Sequence, residues 1–537
     1  MPKRRRLEEE RPAQPAKKPR LRFDYDISLL SDEVILKILT YLPISDLATC
    51  QRLCHRLQRL AGDSELWKEK YYARWVRPRA LRIPGLKDTI ASSEAFRYSS
   101  KLAKWLNDRH LIQEGRRTDW KWQYRLRDNW WRGHCKVREV EVAVPPAPSV
   151  FVRIYRGVTF TADAKSGLRA WTTKKNPLLI ASLPFGVDTK TGWPECRPTC
   201  LSIDTESSTN TDVCVGFVDG SFKIYRLNGG EFYSRYAHAP SSNGAISGIA
   251  MFYPYILTIS DKKILSLYRF PSKDHICKHL LDPHLLASLQ SSCVFAPISL
   301  SIRPSSGGLV ATIAYALTRL TSGWSVGLQE LRMTKDGETL DSRLTSSSEE
   351  EITAFHSIQD QDTTVSARAA ASQPFVLHPE SMARPTALSY SHPYLLASLP
   401  DNTLMTYLVT SNADKLEIAP GRRLWGHTSS VSGVRVGDRG KAVSVSRQGD
   451  EIRVWELEDL LSSSFQQRTS VCIQPENPDL GIIADAIRRR GDGLSLACGE
   501  MEVEQATWRK WIGFDEEQVV VLGERWRRQI LSCYDFT

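Results

Sequence analysis

Histidine, cysteine and carboxylate side chains are the groups in this chain that could bind a metal or perform acid–base catalysis. The tightest grouping is His275, Cys277 and His279, but no second pair of ligands follows to complete a tetrahedral site. A phosphate-binding Gly-x-x-x-x-Gly-Lys loop, a Gly-x-Ser-x-Gly elbow and a His-Glu-x-x-His helix are all missing from the sequence. The carboxylates stand largely in turns, where a structural role suffices. We therefore expect no catalytic residue, no metal and no other cofactor.

Length and composition bound the class of protein. A chain of 537 residues with 41% hydrophobic residues is too long for one compact core and predicts two or three domains. Its longest apolar runs are shorter than the roughly 18 residues that a membrane span needs, so we expect no membrane anchor and no signal peptide. Eleven cysteines without a Cys-x-x-Cys pair favour reduced thiols in the cytosol or nucleus.

The formal net charge of +11 is unevenly distributed along the chain. Residues 1–22 carry +6, residues 97–138 carry +8 and residues 23–96 carry +1, which leaves −4 for residues 139–537. The long C-terminal region is therefore not a basic platform for nucleic acid, and we expect nucleic acid not to be its partner.

Two basic clusters near the N-terminus are separated by ten residues that include prolines and glutamates. Such a segment buries too little apolar surface to fold alone. The spacing resembles a bipartite nuclear import signal, which implies importin as a partner and the nucleus, with the cytoplasm second, as the location. The alternative is a solvated tail that touches nucleic acid non-specifically. The clusters consist of Lys3, Arg4, Arg5 and Arg6, and of Lys17, Lys18 and Arg20.

Four short helices are predicted between Ile27 and Trp75. Ser31 and Asp32 are candidate caps of the first helix, and Pro43 ends it. Further helix starts are indicated at Ser45 and Asp46 and at Ser64, with apolar residues repeating at helical spacing between them.

The run Leu39-Thr40-Tyr41-Leu42-Pro43-Ile44-Ser45-Asp46-Leu47, followed by Cys54-His55-Arg56-Leu57 and Leu66-Trp67, resembles an F-box. It differs from the family at Ser31, where a proline is usual. The resemblance implies binding to a Skp-type adaptor and, through it, to a cullin-RING ubiquitin ligase. The alternative is a small helical subdomain whose apolar residues are only core. The residues implied in adaptor binding are Leu30, Val34, Ile38, Leu39, Leu42, Pro43, Leu47, Leu57, Leu66 and Trp67.

Five of the fifteen tryptophans fall between residues 78 and 136, in a basic segment. The pattern predicts a helix from Asp119 and Trp120 to near Gly133, and it resembles the linker helix between an F-box and a propeller. Interleaved aromatic and basic residues are also typical of single-strand binding, but a packed face explains the tryptophans equally well.

From Val137 onward the helical spacing gives way to short strands. In five units a polar turn precedes an alternating strand that ends on an aromatic residue, and weaker units lie near Trp324 and near Gln529 to Phe536, which makes seven. The unit from Gly426 to Glu456 resembles a WD repeat, which implies a buried hydrogen-bond network containing His427 and Asp450. Pairing of residues 137–144 with the last unit would close the ring.

The sequence therefore predicts a multidomain α plus all-β protein with a helical F-box, a helical linker and a seven-bladed propeller that resembles WD-repeat proteins. The predicted bounds are 1–25 for the tail, 26–76 for the F-box, 77–136 for the linker and 137–537 for the propeller, with a disordered insertion at 341–373.

The resemblance implies a non-catalytic subunit that recognises an unknown protein substrate for a ubiquitin ligase. In phosphopeptide-reading relatives an arginine follows a serine in the turn before a blade's last strand, and Ser446-Arg447 matches this position. A structural salt bridge is the other interpretation of Arg447. The alternative function for the whole chain is a nuclear scaffold in RNA or chromatin assemblies.

Overall fold

The computed structural model describes most of the chain from Leu30 onward and divides it into two compact units, Met1–Tyr124 and Arg125–Thr537. The described residues are 30–77, 118–144, 149–173, 177–186, 197–205, 211–271, 280–291, 293–305, 308–319, 323–334, 338–347, 356–357, 383–412, 415–437, 440–447, 451–457, 470–475, 508–525 and 528–537.

Short helices form the described part of the first unit. Leu39, Leu47, Leu60 and Leu66 lie at its centre because helical spacing places one apolar face of each helix inward. The helices are α1 (Asp32–Tyr41), α2 (Ile44–Cys50), α3 (His55–Ala61) and α4 (Ser64–Tyr71), and α4 continues into a π-helical turn (Tyr72–Val76).

The helix ends differ from two predictions. The residue before α2 is Pro43, so Ser45 and Asp46 lie inside this helix and do not cap it. The cap of α4 is Asp63 and not Ser64, because the Asp63 carboxylate accepts hydrogen bonds from the Glu65 and Leu66 amides at 2.9 and 3.3 Å.

A further helix, α5 (Trp120–Arg132), begins in the first unit and ends in the second, as the sequence predicts. In the first unit, Trp120 packs against Tyr71 with ring centroids 5.4 Å apart. In the second unit, Trp130 stacks on Phe536 at 3.9 Å and donates to the Glu516 carbonyl at 2.9 Å. Trp120 and Trp130 therefore belong to packed faces, as one of the two interpretations predicts, whereas Trp131 is 46% exposed and Trp105 lies outside the described residues.

The second unit is a seven-bladed propeller in which each blade is a mostly antiparallel sheet of four or five strands. After β1 (His134–Ala143), blade 1 contains β2 (Phe151–Tyr155), β3 (Val158–Asp163), β4 (Gly167–Thr172) and β5 (Leu178–Leu183). Blade 2 contains β6 (Pro198–Ile203), β7 (Thr211–Phe217), β8 (Phe222–Asn228) and β9 (Glu231–His238). Blade 3 contains β10 (Ile246–Phe252), β11 (Tyr255–Ser260), β12 (Ile264–Arg269) and β13 (His284–Gln290).

The remaining blades follow the same pattern. Blade 4 contains β14 (Phe295–Ser305), β15 (Gly308–Arg319), β16 (Gly323–Thr334) and β17 (Thr339–Ser346). After the short β18 (His356–Ser357), blade 5 contains β19 (Ala387–Ser391), β20 (Tyr394–Ser398), β21 (Leu404–Ser411), β22 (Leu416–Ile418) and β23 (Arg422–Leu424). Blade 6 contains β24 (Val431–Val436), β25 (Lys441–Ser446), β26 (Ile452–Glu456) and β27 (Ser470–Cys472).

Blade 7 combines both ends of the propeller. Its strands are β29 (Trp508–Phe514), β30 (Gln518–Arg525), β31 (Arg528–Asp535) and the N-terminal β1, and the short β28 (Gln474–Pro475) lies beside β1. Strand β1 runs antiparallel to β31, with Val137 opposite Tyr534 and Val140 opposite Leu531. The predicted closure of the ring by the N-terminal strand is confirmed.

The first strands of the seven blades form the inner ring, in the order β2, β6, β10, β14, β19, β24 and β29. Buried serines join neighbouring members: Ser299 accepts from the Tyr390 amide at 3.1 Å, and Ser389 accepts from the Val436 amide at 3.0 Å. The hydrophobic core lies between adjacent blades, because each sheet buries both faces.

Blade 6 contains the buried network that the WD-like unit predicts. The Ser444 hydroxyl lies 2.5 Å from His427 Nε2 and accepts a hydrogen bond from Trp455 Nε1 at 2.8 Å. Glu451 stands 3.5 Å from His427 Nδ1, while Asp450 lies outside the described residues. Ser444 is the member that the sequence did not single out.

The predicted disordered insertion begins too early. Asp341 to Ser346 belong to β17, which pairs with β16, and Leu344 packs against the core between blades 3 and 4. Leu344 thus continues the core of the blade into the serine-rich run. Within the insertion, β18 also pairs with the outer strand of blade 3, and most other residues up to Gln373 lie outside the described part.

We expect Ser444→Ala to lower the free energy of unfolding of the propeller by about 2 kcal/mol, because it leaves two buried donors or acceptors without their partner. Ser432→Ala is the matched control: the Ser432 hydroxyl is only partly buried and makes one long 3.4 Å contact. Urea unfolding measures both variants. Equal free energies of unfolding for the Ser444→Ala and Ser432→Ala variants would contradict a stabilising role of the network.

Burial and, to a smaller extent, the nearby Arg303 together lower the pKa of His392 to about 4. The imidazole therefore takes up a proton near pH 6.5 in the unfolded chain but only near pH 4 in the folded chain. The free energy of unfolding falls as the pH drops from about 6.5 towards 4, by about 1 kcal/mol per pH unit. We expect His392→Gln to flatten this part of the stability curve. The control is His284→Gln at an exposed position, and urea unfolding at several pH values measures both. Parallel curves for wild type and His392→Gln would refute the assignment.

Candidate protein-binding surfaces

An apolar stripe runs along the exposed side of α1. Val34, Ile38 and Tyr41 follow one another at spacings of four and three residues, so they share one helical face, and Leu30 lies just before the start of the helix. The exposed fractions of Leu30, Val34, Ile38 and Tyr41 are 38%, 45%, 48% and 76%. Single exposed apolar residues are ordinary, but a continuous row on one helix is typical of a protein-binding surface.

The structure divides the predicted adaptor-binding residues into two groups. Leu30, Val34, Ile38 and Pro43 are exposed, and Leu42 and Leu57 are partly buried. The other four are at most 5% exposed, so they form the core of the module and present almost no surface to a partner. These four are Leu39, Leu47, Leu66 and Trp67.

Hydrogen bonds from buried or partly buried side chains fix the helices beneath the stripe. Trp67 Nε1 and Gln51 Nε2 both donate to the Ala61 carbonyl at 2.7 Å. The Lys70 ammonium donates to the Thr40 and Leu42 carbonyls at 2.6 and 2.8 Å, which satisfies the C-terminal end of α1. The exposed face of α1 therefore rests on a supported helix.

Asp32 links the first turn of α1 to α3. Its carboxylate lies 2.7 Å from Arg56 and 2.6 Å from Arg59, and the hydrogen bond from Arg56 holds the pKa of Asp32 below its usual value. Both ion pairs are largely exposed to solvent, so they orient α1 more than they stabilise it.

Sequence reasoning missed two exposed apolar residues of the helical module. Tyr41 lies three residues after Ile38 on the same face, and Leu53, in the turn before α3, is 66% exposed. Helical spacing alone could have found Tyr41. Helical spacing could not have found Leu53, because α2 ends at Cys50.

On the propeller, Arg447 lies in the turn after β25, and it is exposed. Its backbone amide donates to the Ser430 carbonyl at 2.7 Å, which positions the turn beside the segment that enters β24. In an antiparallel blade, this turn and the connection from the preceding blade share one edge. We call this edge the upper face; it also carries the turns at Lys262 and Asn402.

Several predicted residues lie outside the described part of the chain. These are His275, Cys277 and His279, and the basic residues Lys3, Arg4, Arg5, Arg6, Lys17, Lys18 and Arg20. Among the residues that are described, no group of histidine, cysteine or carboxylate side chains is arranged to hold a metal. No helix in the described ranges is long and apolar enough to span a membrane.

A helical module with an exposed apolar stripe, followed by a closed seven-bladed ring, defines an F-box protein with a β-propeller. Residues 30–73 match the F-box-like family, and residues 135–537 match the family described as F-box protein pof12 beta-propeller. The second match covers most of the chain, so the chain belongs to this F-box protein β-propeller family.

A curated relative is an F-box protein of Saccharomyces cerevisiae, which is 31% identical over 120 residues. The match spans 21% of this chain and only 18% of the relative's length.

Solved propellers with a similar fold have low sequence identity to this chain, so their similarity concerns the fold alone. The WD40 beta propeller domain of Doa1 covers 74% of this chain and 95% of its own, with 11% identity and a TM-score of 0.35. The match to U3-55K covers 74% of this chain and 98% of the U3-55K chain, with 9% identity and a TM-score of 0.42. The match to the Cps50 (Swd1) beta-propeller domain of Myceliophteria thermophila covers 75% of this chain and 100% of that domain, with 10% identity and a TM-score of 0.40.

Proposed function

We propose that the protein is the substrate-recognition subunit of a Skp, cullin and F-box ubiquitin ligase. The observation that carries this proposal is the exposed apolar stripe on α1, in a module that matches the F-box-like family. The stripe would bind a Skp-type adaptor, which connects it to the cullin-RING ligase, and the propeller would bind a protein substrate.

In this role the chain contributes proximity and no bond-making step of its own. Holding a substrate beside the ubiquitin-carrying enzyme turns an encounter between separate molecules into one within a complex, which raises the effective concentration of the reacting lysine. The family membership supports this adaptor role, because F-box receptors leave the transfer chemistry to the recruited enzyme.

Ile38→Asp should weaken binding of a Skp-type adaptor by at least about tenfold, because it places a charge in the middle of an apolar contact surface. Ile38 is half exposed, so the module should stay folded. The control is Leu285→Asp on the propeller, where the leucine is 55% exposed. Co-purification of the full chain with the adaptor, followed by calorimetric titration, measures the effect. Undiminished binding by the Ile38 variant would remove the proposed docking surface.

We further propose that substrates contact the upper face of the propeller and that Arg447 takes part. The guanidinium is exposed in a turn whose backbone is held by Ser430, and it could engage a phosphate with two parallel hydrogen bonds. Ser432 stands where phosphopeptide-reading relatives carry a second arginine. Arg447 would therefore have to bind the phosphate without that second arginine.

Arg447→Gln should lower retention of phosphoserine peptides by the full chain about tenfold, because it removes a charge-assisted contact. Arg528→Gln is a suitable control, since Arg528 lies at the matching turn of blade 7 and pairs with Glu141 at 3.0 Å. Peptide-array binding and a thermal melt together distinguish a phosphate-binding role of Arg447 from a structural salt bridge. A lower melting temperature with unchanged peptide retention would assign Arg447 a structural role.

A further inference from the structure

A second cluster on the upper face combines two cations with two aromatic rings. Lys263 belongs to the turn after β11, Phe295 begins β14, Trp324 lies at the start of β16, and Arg384 precedes β19. Blades 3, 4 and 5 therefore each contribute to it. We refer to Lys263, Phe295, Trp324 and Arg384 as the cation–aromatic cluster.

The rings and cations of this cluster contact one another directly. Phe295 and Trp324 meet edge to face with centroids 5.8 Å apart. The Lys263 ammonium lies 4.3 Å from the centre of the Phe295 ring, and the Arg384 guanidinium lies 5.0 Å from the Trp324 ring. Both rings are partly buried, so they form a fixed base beneath the charges.

Arg384 is held in place without neutralisation. Its Nε and Nη2 atoms both donate to the Ala296 carbonyl, at 3.2 and 2.8 Å, while its side chain remains exposed. Within the described ranges, no carboxylate pairs with it. A guanidinium that is already oriented by a ring and a carbonyl loses little conformational freedom when an anion binds to its remaining N–H groups.

The backbone at Lys263 adds a second constraint. This lysine has a φ of 61°, in the left-handed region that side-chain-bearing residues seldom adopt. Its carbonyl accepts from the Ser291 amide at 3.3 Å, which ties the turn to the segment leading into blade 4. The turn thus directs the ammonium over Phe295.

We propose that the cation–aromatic cluster binds an acidic segment of a protein substrate, with Arg384 and Lys263 contacting carboxylate or phosphate groups. This inference rests on the proposed function and names the chemistry of its substrate. The site is separate in the fold from Arg447, which belongs to blade 6. Charge complementarity selects the occupant, because the cluster offers two positive groups above an aromatic base.

A single-stranded nucleic acid is the competing ligand for aromatic and basic residues. Stacking of bases requires open ring faces. Here cations lie over a face of each ring, and the rings contact each other edge to face, so the cluster presents charge more than stacking surface.

The test measures binding of labelled peptides to the purified full chain by fluorescence anisotropy. The probes are a peptide of alternating Glu and Ser, its counterpart with Gln in place of every Glu, and the Gln peptide with phosphorylated serines. We expect an acidic probe to bind more tightly than the Gln peptide and Arg384→Gln to weaken this binding about tenfold, with a smaller loss for Lys263→Gln. The glutamate and phosphoserine arms distinguish the two sources of the anion.

Matched controls are Arg528→Gln and Lys165→Gln, which remove exposed cations from the corresponding turns of blades 7 and 1. They should leave peptide binding unchanged. Equal binding of acidic and Gln peptides, or full binding by Arg384→Gln, would overturn the proposal. Binding of a labelled single-stranded oligonucleotide that is lost in Arg384→Gln would overturn the choice of a peptide ligand. Adaptor binding by the same variants reports separately on the proposed function, since Arg384 lies far in sequence from α1.

Discussion

The pairing of β1 with β31 is the constraint on which the propeller depends. A ring of blades has no free edge only if its first and last strands meet, and this pair joins residues that are nearly 400 positions apart in the chain. The same region anchors the end of α5, because Trp130 stacks on Phe536, directly after β31, and Asn129 donates to the Phe536 carbonyl at 2.8 Å. Closure of the ring and attachment of the helix thus use the same few C-terminal residues.

In the helical module, one short helix has to serve two surfaces. Ile35 and Leu39 of α1 point into the core and are at most 3% exposed, whereas Val34 and Ile38, one residue earlier in each case, are half exposed. A rotation of about 100° per residue separates the two rows. The module is too small to bury both rows. For this reason some apolar residues of the F-box-like motif belong to the core and others lie on the surface.

The sequence predicted the blade pattern well because one strand in each blade has a strong local signature. The units that end in Trp171, Tyr225, Tyr268, Tyr407 and Trp455 are the third strands β4, β8, β12, β21 and β26, and the weak units near Trp324 and Gln529 are β16 and β31. A turn aspartate that caps its own loop, as Asp219 does for the Ser221 amide at 2.9 Å, is encoded locally. The first strands carry no such signal, because each pairs with the second strand of its own blade but also packs against the first strands of the neighbouring blades. The same holds for β18, whose only pairing within the described residues is with a distant strand.

Burial and charge pairing were harder to predict, and they decide which arginines can meet a partner. Several arginines of the propeller are enclosed with carboxylates: Arg169 with Asp163 at 2.7 Å, Arg226 with Asp212 at 2.7 Å, and Arg303 with Glu330 at 3.1 Å. Such buried pairs fix the packing of strands more than they add net stability, and they are closed to ligands. The total charge of the region is therefore a poor guide to recognition. What matters is that Arg384 is exposed, oriented and unneutralised by the described carboxylates, which only the three-dimensional arrangement reveals.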